Sequence, residues 1–132
     1  MAKLRIKEAA DLLGVSDDTV RRWIDTGALA ATKDTAGRLV IDGRELATLA
    51  VDQARTPQTR VGSASSARNR FPGLVTRVVA DKVMAQVEMQ CGPFTVVSLM
   101  SSESVRELGL EPGSVALASV KATTVVVERA AG

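Results

Sequence analysis

The chain has 132 residues, enough for one compact domain or for two small ones that oligomerisation would help to stabilise. It contains no histidine and a single cysteine, which removes most zinc sites, the histidine-assisted nucleophiles and any intramolecular disulfide, so we expect no enzyme. The net charge of +2 is uneven, because residues 53–72 hold four arginines and no acid, whereas residues 1–52 hold eight basic and nine acidic residues. Any contact with nucleic acid is therefore expected from a local face.

Three helices and one hairpin are predicted before residue 52. The first helix is marked by apolar residues at helical spacing and a terminating glycine: Ile6, Ala9, Ala10, Leu13 and Gly14. The second helix has a serine N-cap, an apolar face and again a closing glycine: Ser16, Val20, Trp23, Ile24 and Gly27. A polar turn then joins two short strands, and a capped third helix follows: Ala30–Thr32, Arg38–Ile41, and Gly43 to Leu49 after Asp42.

Two helices joined by the tight turn at 13–16 satisfy the geometry of a helix-turn-helix, whose second helix enters the major groove of DNA. Residues 4–41 also resemble the winged helix-turn-helix of the MerR and excisionase group, through Ile6-Lys7-Glu8-Ala9-Ala10, Leu13-Gly14-Val15-Ser16 and Thr19-Val20-Arg21-Arg22-Trp23. The residues expected to contact DNA are Ser16, Thr19, Arg21, Arg22, Lys33 and Arg38. The alternative is a module that serves only protein interaction, because Asp17 and Asp18 would face phosphate unfavourably.

The segment 52–65 lacks apolar periodicity and is rich in small and polar residues, which is typical of a linker. After it, short valine-rich runs separated by turns predict five strands: Leu74–Ala80, Met84–Met89, Phe94–Leu99, Ser114–Lys121 and Thr123–Glu128. A short helix is expected from Ser102 to Leu108. The predicted fold class is therefore α+β, with a winged helix-turn-helix at 1–51, a linker at 52–65 and an OB-like five-stranded β-barrel at 66–132.

Donors suited to a tetrahedral oxyanion recur in the second half of the chain. Such a dianion needs converging N–H and O–H donors together with partial charge compensation. The candidate donors are Ser66, Ala67, Arg68, Ser101, Ser104, Lys121, Ala122 and Thr123. For Ser101 and Ser104, capping of the short helix is an equally good interpretation.

Residues 66 to about 129 resemble the molbindin domain, also called Mop or TOBE, through Ser66-Ala67-Arg68-Asn69, Leu108-Gly109-Leu110 and Lys121-Ala122-Thr123. The resemblance implies an OB-like barrel that binds molybdate or tungstate between subunits. One copy would supply residues 66–68, Lys121 and Thr123, and its neighbour would supply Ser101 and Ser104. It therefore also implies a homo-oligomer, a dimer or a hexamer, that assembles through this domain.

The two resemblances together imply a molybdate- or tungstate-responsive, DNA-binding transcriptional regulator, similar to the ModE type. The alternative is a storage or buffering molbindin whose N-terminal module docks it elsewhere, and sequence-specific binding to DNA would decide between them. No apolar run approaches the roughly 20 residues of a membrane span, and the first residues lack the apolar segment of a signal peptide. We therefore expect a cytoplasmic protein without a membrane partner.

Overall fold

The computed structural model describes residues 2–54 and 66–130, and the chain divides at residue 55 into two compact units. The N-terminal unit contains β1 (Lys3–Leu4), α1 (Ile6–Leu13), α2 (Asp17–Asp25), β2 (Thr32–Lys33), β3 (Leu39–Asp42) and α3 (Gly43–Gln53). The C-terminal unit contains β4 (Asn69–Ala80), β5 (Met84–Cys91), β6 (Phe94–Ser101), α4 (Ser102–Leu108), β7 (Val115–Val120) and a 3₁₀ turn (Ala122–Thr124). The mixture of helix and antiparallel strand agrees with the predicted class.

The N-terminal unit builds one hydrophobic core from its helices and strands. Gly14 ends α1 in the left-handed conformation (φ 67°), and the amide of Val15 donates to the carbonyl of Ala10 at 3.0 Å. The chain then enters α2 at once, and α1 contributes the small buried side chains of Ala9 and Ala10 to the core that the two helices share. The core consists of Ile6, Ala9, Ala10, Val20, Leu29, Ile41, Leu46 and Leu49, with Trp23 partly buried against it.

The expected hairpin is present, and a strand that the sequence pattern did not indicate joins it. β2 and β1 pair with opposite edges of β3, all antiparallel, which gives the order β1-β3-β2. Asp42 starts α3, because its Oδ1 accepts a hydrogen bond from the amide of Arg44 at 3.0 Å. α3 continues to Gln53, beyond its expected end at Leu49 and into the segment interpreted as a linker. Positions 55–65 of that segment lie outside the described residues.

The C-terminal unit is a curled antiparallel sheet with the strand order β6-β5-β4-β7. β5 lies between β6 and β4, and every second residue along it is buried, as the pleat of a half-buried strand requires. Its inward side chains meet one residue of β4 and one of α4, forming a core of Val75, Ala85, Val87, Met89, Cys91 and Val105. Ser102 anchors α4 to the β4–β5 turn, since its Oγ donates to the carbonyl of Asp81 at 2.7 Å.

A glycine in β4 lies close to the backbone of β5. β4 begins at Asn69, earlier than the expected Leu74, and its first half pairs with β7 while its second half pairs with β5. A Cβ atom on Gly73 would overlap the carbonyl oxygen of Gln90 and the Sγ of Cys91. Glycine is therefore required where β4 passes from one partner strand to the other.

The prediction of a fifth strand at 123–128 is wrong for the described part of this unit, which has four strands. After β7 the carbonyl of Lys121 accepts from the amide of Thr124 at 3.0 Å and from its hydroxyl at 2.9 Å. These bonds form the 3₁₀ turn in place of a strand. Residues 125–130 follow it without secondary structure, since they pair with no strand of the described residues although valine favours strands.

Candidate functional site

The second helix carries two arginines that point to solvent. Arg21 and Arg22 are both exposed on α2. Arg21 lies 4.0 Å from the carboxylate of Asp18, and the side chains of the two residues are 59% and 96% exposed, so the pair is weak and leaves the guanidinium available. An arginine held on such a helix can form two parallel hydrogen bonds to guanine or bind a phosphate.

Ser16 and Thr19 lie at the start of α2, where their hydroxyl groups bond to each other. Ser16 Oγ accepts from the amide of Thr19 at 3.1 Å and lies 2.9 Å from Thr19 Oγ1. Both residues thus fix the N-terminal end of the helix that carries the arginines. Because one of the two hydroxyl groups donates to the other, one O–H hydrogen is left that can be donated to a phosphate alongside this capping role.

Lys33 and Arg38 flank a rigid turn between β2 and β3. Oδ1 of Asp34 accepts hydrogen bonds from the amides of Ala36 and Arg38, each at 2.9 Å. The bond from the Arg38 amide is the main reason that the pKa of Asp34 lies below its ordinary value. Lys33 and Arg38 are both exposed, so the turn presents one cation on each side.

A groove beside this hairpin is lined by two positively charged side chains, Lys3 and Arg5, that the sequence analysis did not single out. The cavity, of about 510 Å³, is lined by Lys3 and Arg5 as well as by Lys33, and includes Glu8 and Asp34. Lys3 and Arg5 reach it because β1 pairs with β3. The alternation in Lys3-Leu4-Arg5 is the one sequence signal that could have indicated a short strand with both cations on one face.

In the C-terminal unit, two of the three expected oxyanion-binding segments lie at the same end of the sheet. Asn69 pairs with Val120 in the β4–β7 ladder, and Asn69 Nδ2 also donates to the carbonyl of Val120 at 3.2 Å. The segments immediately outside this pair are Ser66–Arg68 and Lys121–Thr123. Arg68 and Lys121 are exposed there, so their positive charges border a region that also offers hydroxyl groups and backbone amides. Asn69 is therefore a positioning residue, because it holds the start of β4 against the end of β7.

The third segment lies at the opposite end of β4. Ser101 opposes Met84 at the start of β5, next to the turn that follows Ala80. Ser101 Oγ accepts from the amide of Ser104 at 3.0 Å and donates to Ser104 Oγ at 2.8 Å, so Ser101 is the cap of α4. A single copy therefore does not bring Ser101 and Ser104 to Lys121, because β4 separates them by its 12 residues.

We also looked in the described ranges for a metal site, a membrane-spanning helix and a reactive thiol. Residues 2–54 and 66–130 contain no group of three His, Cys, Asp or Glu side chains that could hold a metal cation. Within the same ranges, no helix has the length and apolar character needed to cross a bilayer. Cys91 is free and buried, and burial raises the pKa of its thiol. A buried thiol of this kind is unreactive.

Comparisons with known proteins divide the chain in the same way. Residues 4–50 match the model of a helix-turn-helix domain, and residues 65–127 match the model of the TOBE domain. The solved molybdate binding protein from Sporomusa ovata is 33% identical over 51% of this chain and 100% of its own, with a TM-score of 0.49. MopII from Clostridium pasteurianum is 34% identical over 50% of this chain and 100% of its own, with a TM-score of 0.47. No curated protein matches the chain.

Proposed function

Because its C-terminal half belongs to the TOBE domain family and residues 4–50 match a helix-turn-helix domain, we propose that this protein is a molybdate- or tungstate-responsive, DNA-binding transcriptional regulator. The observation that carries the proposal is the convergence of Ser66–Arg68 and Lys121–Thr123 at one end of the β4–β7 ladder. The two segments contain two exposed cations, Arg68 and Lys121, together with the hydroxyl groups of Ser66 and Thr123. That is the donor set that a tetrahedral dianion needs.

The oxyanion site is completed by a second copy in this proposal. Ser101 and Ser104 lie at the opposite end of β4 from Lys121, so one copy offers only part of the expected donors at each end. Residues 66–68, Lys121, Ala122 and Thr123 of one copy would meet the two serines of its neighbour. The protein is then a homo-oligomer, a dimer or a hexamer, and the ligand lies at the subunit interface.

DNA would be bound by the N-terminal unit as a winged helix-turn-helix of the MerR type. α2 enters the major groove with Arg21 and Arg22, and Ser16 and Thr19 hold the start of the helix near the backbone. The β2–β3 hairpin acts as the wing, and its Lys33 and Arg38 contact phosphate. The protein acts on DNA in the cytoplasm and catalyses no reaction.

Regulation requires that the oxyanion bind two arrangements of the oligomer with different affinities. A storage molbindin, the alternative, would bind the ion without any effect on DNA. The experiment is a gel-shift titration with the DNA upstream of the protein's own gene, in the presence and absence of molybdate, tungstate and sulfate. A regulator shows a sequence-specific complex whose midpoint moves with molybdate or tungstate and not with sulfate.

Calorimetry with the same three ions provides the second measurement. Heat with molybdate or tungstate but no specific DNA complex would favour storage over regulation. No heat with either ion at millimolar concentration would contradict the ligand assignment, and a specific DNA complex would then leave a DNA-binding protein with a different effector.

A further inference from the structure

The first strand of the N-terminal unit places two cations beside the β2–β3 hairpin. β1 pairs with β3, and Leu4 packs against the hydrophobic core. Its chain neighbours Lys3 and Arg5 therefore lie on the opposite side of the strand, where both are exposed. Together with Lys33 of β2 they line one groove of about 510 Å³, which we call the cationic groove.

The cationic groove has a local excess of positive charge, although residues 1–52 hold eight basic and nine acidic residues. Its lining includes three cations and two carboxylates, those of Glu8 and Asp34. Both carboxylates accept hydrogen bonds from backbone amides, Glu8 from Arg5 at 3.3 Å and Asp34 from two amides of its own turn at 2.9 Å. Within residues 2–54 and 66–130, none of the three groove cations lies within 4.0 Å of a carboxylate oxygen. An anionic ligand therefore meets cations that no direct ion pair neutralises.

Arg5 occupies a position where it gives its helix no benefit. It is the N-cap of α1, whereas Ser16 and Asp42 cap α2 and α3 through side-chain oxygens. A guanidinium has no acceptor, and the side chain of Arg5 makes no capping bond. Its charge also lies at the positive end of the helix dipole, which is unfavourable. A residue that breaks a local rule without a structural gain is expected to have a role in binding.

A phosphodiester is the ligand that fits the cationic groove best. Lysine and arginine bind phosphate oxygens, and the two threonines that complete the polar lining offer hydroxyl donors. An apolar ligand would find a single valine there. Lys33 belongs both to the groove and to the hairpin proposed as the wing, so a DNA strand that contacts Lys33 lies beside Arg5 and Lys3.

We propose that the cationic groove binds the phosphate backbone of the DNA that α2 reads, through Lys3 and Arg5 beside the wing residue Lys33. The inference rests on the DNA binding of the proposed function and extends its contact surface to β1 and the start of α1. Phosphate contacts fix the position of a protein on the duplex and carry no sequence information themselves. Lys3 and Arg5 thus raise the affinity for every DNA sequence, whereas Arg21 and Arg22 distinguish between bases.

The first test measures how DNA binding by the full chain depends on salt. Each phosphate contact contributes roughly −0.9 to the slope of log K against log salt concentration, because it releases condensed counterions. Lys3→Gln and Arg5→Gln are each expected to flatten this slope by about 1 and to weaken binding to the best site and to unrelated DNA by the same factor. Arg5→Lys retains the charge and should keep the wild-type slope. Lys7→Gln, which removes an exposed lysine of α1 outside the groove, is the control and should also keep it.

Wild-type slopes in both glutamine variants, with circular dichroism confirming their helices, would overturn the inference. Equal flattening in Lys7→Gln would overturn it as well, because net charge would then be the cause. A sequence-specific wild-type complex with unchanged variant slopes contradicts the groove alone. Flattened slopes without any sequence-specific complex contradict the regulator alone, and a wild type that binds no DNA contradicts both.

The second test locates the contact and separates DNA from a free anion. Ethylation of a phosphate removes its charge, so DNA ethylated at a contacted phosphate is depleted from the complex. Arg5→Gln is expected to lose this interference at phosphates next to those lost in Lys33→Gln, and an unchanged pattern would overturn the contact. Inorganic phosphate should compete with the DNA no better than chloride at equal ionic strength. Selective competition by phosphate would assign the groove to a free anion and overturn the proposal.

Discussion

The two units differ in how completely they cover their own apolar residues. Sixteen large hydrophobic side chains are exposed in the described residues, and only Leu12, Leu39 and Val51 of them belong to the N-terminal unit. The other thirteen lie in the C-terminal unit, although its core has fewer buried residues. Exposed apolar surface on this scale is typical of a surface that binds another molecule. The N-terminal unit thus covers most of its own large apolar residues, whereas the C-terminal unit exposes residues that the proposed homo-oligomer would cover.

The largest expected effect comes from breaking the C-terminal unit alone. Gly73→Val places a side chain against Gln90 and Cys91, where the backbone leaves no room, so we expect the unit to lose about 3 kcal/mol or to fail to fold. The N-terminal unit has its own core and should keep its helical signal. Calorimetric unfolding checks this, with the exposed Arg70→Ala in the same strand as control. Equal loss of both units would contradict their independence.

Lys121→Ala should weaken oxyanion binding without loss of fold. The lysine is exposed beside the 3₁₀ turn, and a charge-assisted hydrogen bond to a partly desolvated dianion contributes about 1.5–3 kcal/mol. Molybdate affinity measured by calorimetry is therefore expected to fall roughly tenfold to a hundredfold. Lys7→Ala, which removes an exposed lysine of α1 in the N-terminal unit, is the control and should bind normally. Equal affinities for the two variants would move the site away from Lys121.

Arg21→Ala and Arg22→Ala test DNA binding by the N-terminal unit, as Lys121→Ala tests oxyanion binding by the C-terminal unit. Loss of a bidentate contact with guanine costs about 1–3 kcal/mol, so at least one variant should bind the best DNA site about tenfold more weakly and change its base preference. Both should bind molybdate as the wild type does, because they lie in the other unit. Gel-shift titrations of both variants on the same operator provide the measurement. If neither variant loses affinity, α2 does not read the bases.

Substitution of Ser101 and of Ser104 distinguishes a role in helix capping from a role in oxyanion binding. Ser101→Ala removes the acceptor for the amide of Ser104 and should lower the free energy of unfolding by about 1 kcal/mol without ligand. Ser104→Ala keeps that cap, so its ligand-free stability should change less. Thermal unfolding compares them. A loss of molybdate affinity in Ser104→Ala with unchanged stability would assign that hydroxyl to the oxyanion, whereas equal destabilisation of both variants would make the pair structural.

The smallest expected effect concerns pH and the hairpin turn. Hydrogen bonds from backbone amides, the Arg38 amide foremost, lower the pKa of Asp34 in the folded protein. The turn is therefore fully stabilised above the unfolded pKa of Asp34, and this contribution is lost as the pH falls through the lower folded pKa. Amide NMR shifts of Ala36 and Arg38 should follow this titration. They should not do so in Asp34→Asn, and a titration that persists there would assign it to another group.

The sequence predicted most of the elements, because they depend on local signals. Gly14, Ser16 and Asp42 end or cap helices through bonds to near neighbours, and α4 was predicted with its observed bounds. β1 has two residues, which is too short for any periodicity to show. The fifth strand was predicted from its valines alone, and the 3₁₀ turn at 122–124, which composition does not indicate, stands where that strand was expected to begin. Residues 66–68 lie near residues 121–123 because β4 pairs with β7, about fifty residues further along the chain. The family resemblance implied this proximity, whereas composition alone did not.

Each unit contains one chromophore or thiol that the other lacks. Trp23 is the only tryptophan of the chain and packs against the N-terminal core, and Cys91 is the only cysteine and is buried in the C-terminal core. Tryptophan fluorescence in the intact protein therefore follows the opening of one core, and the rate of thiol labelling follows the opening of the other. The unfolding of the two units can therefore be followed separately in the wild-type protein, without an introduced probe.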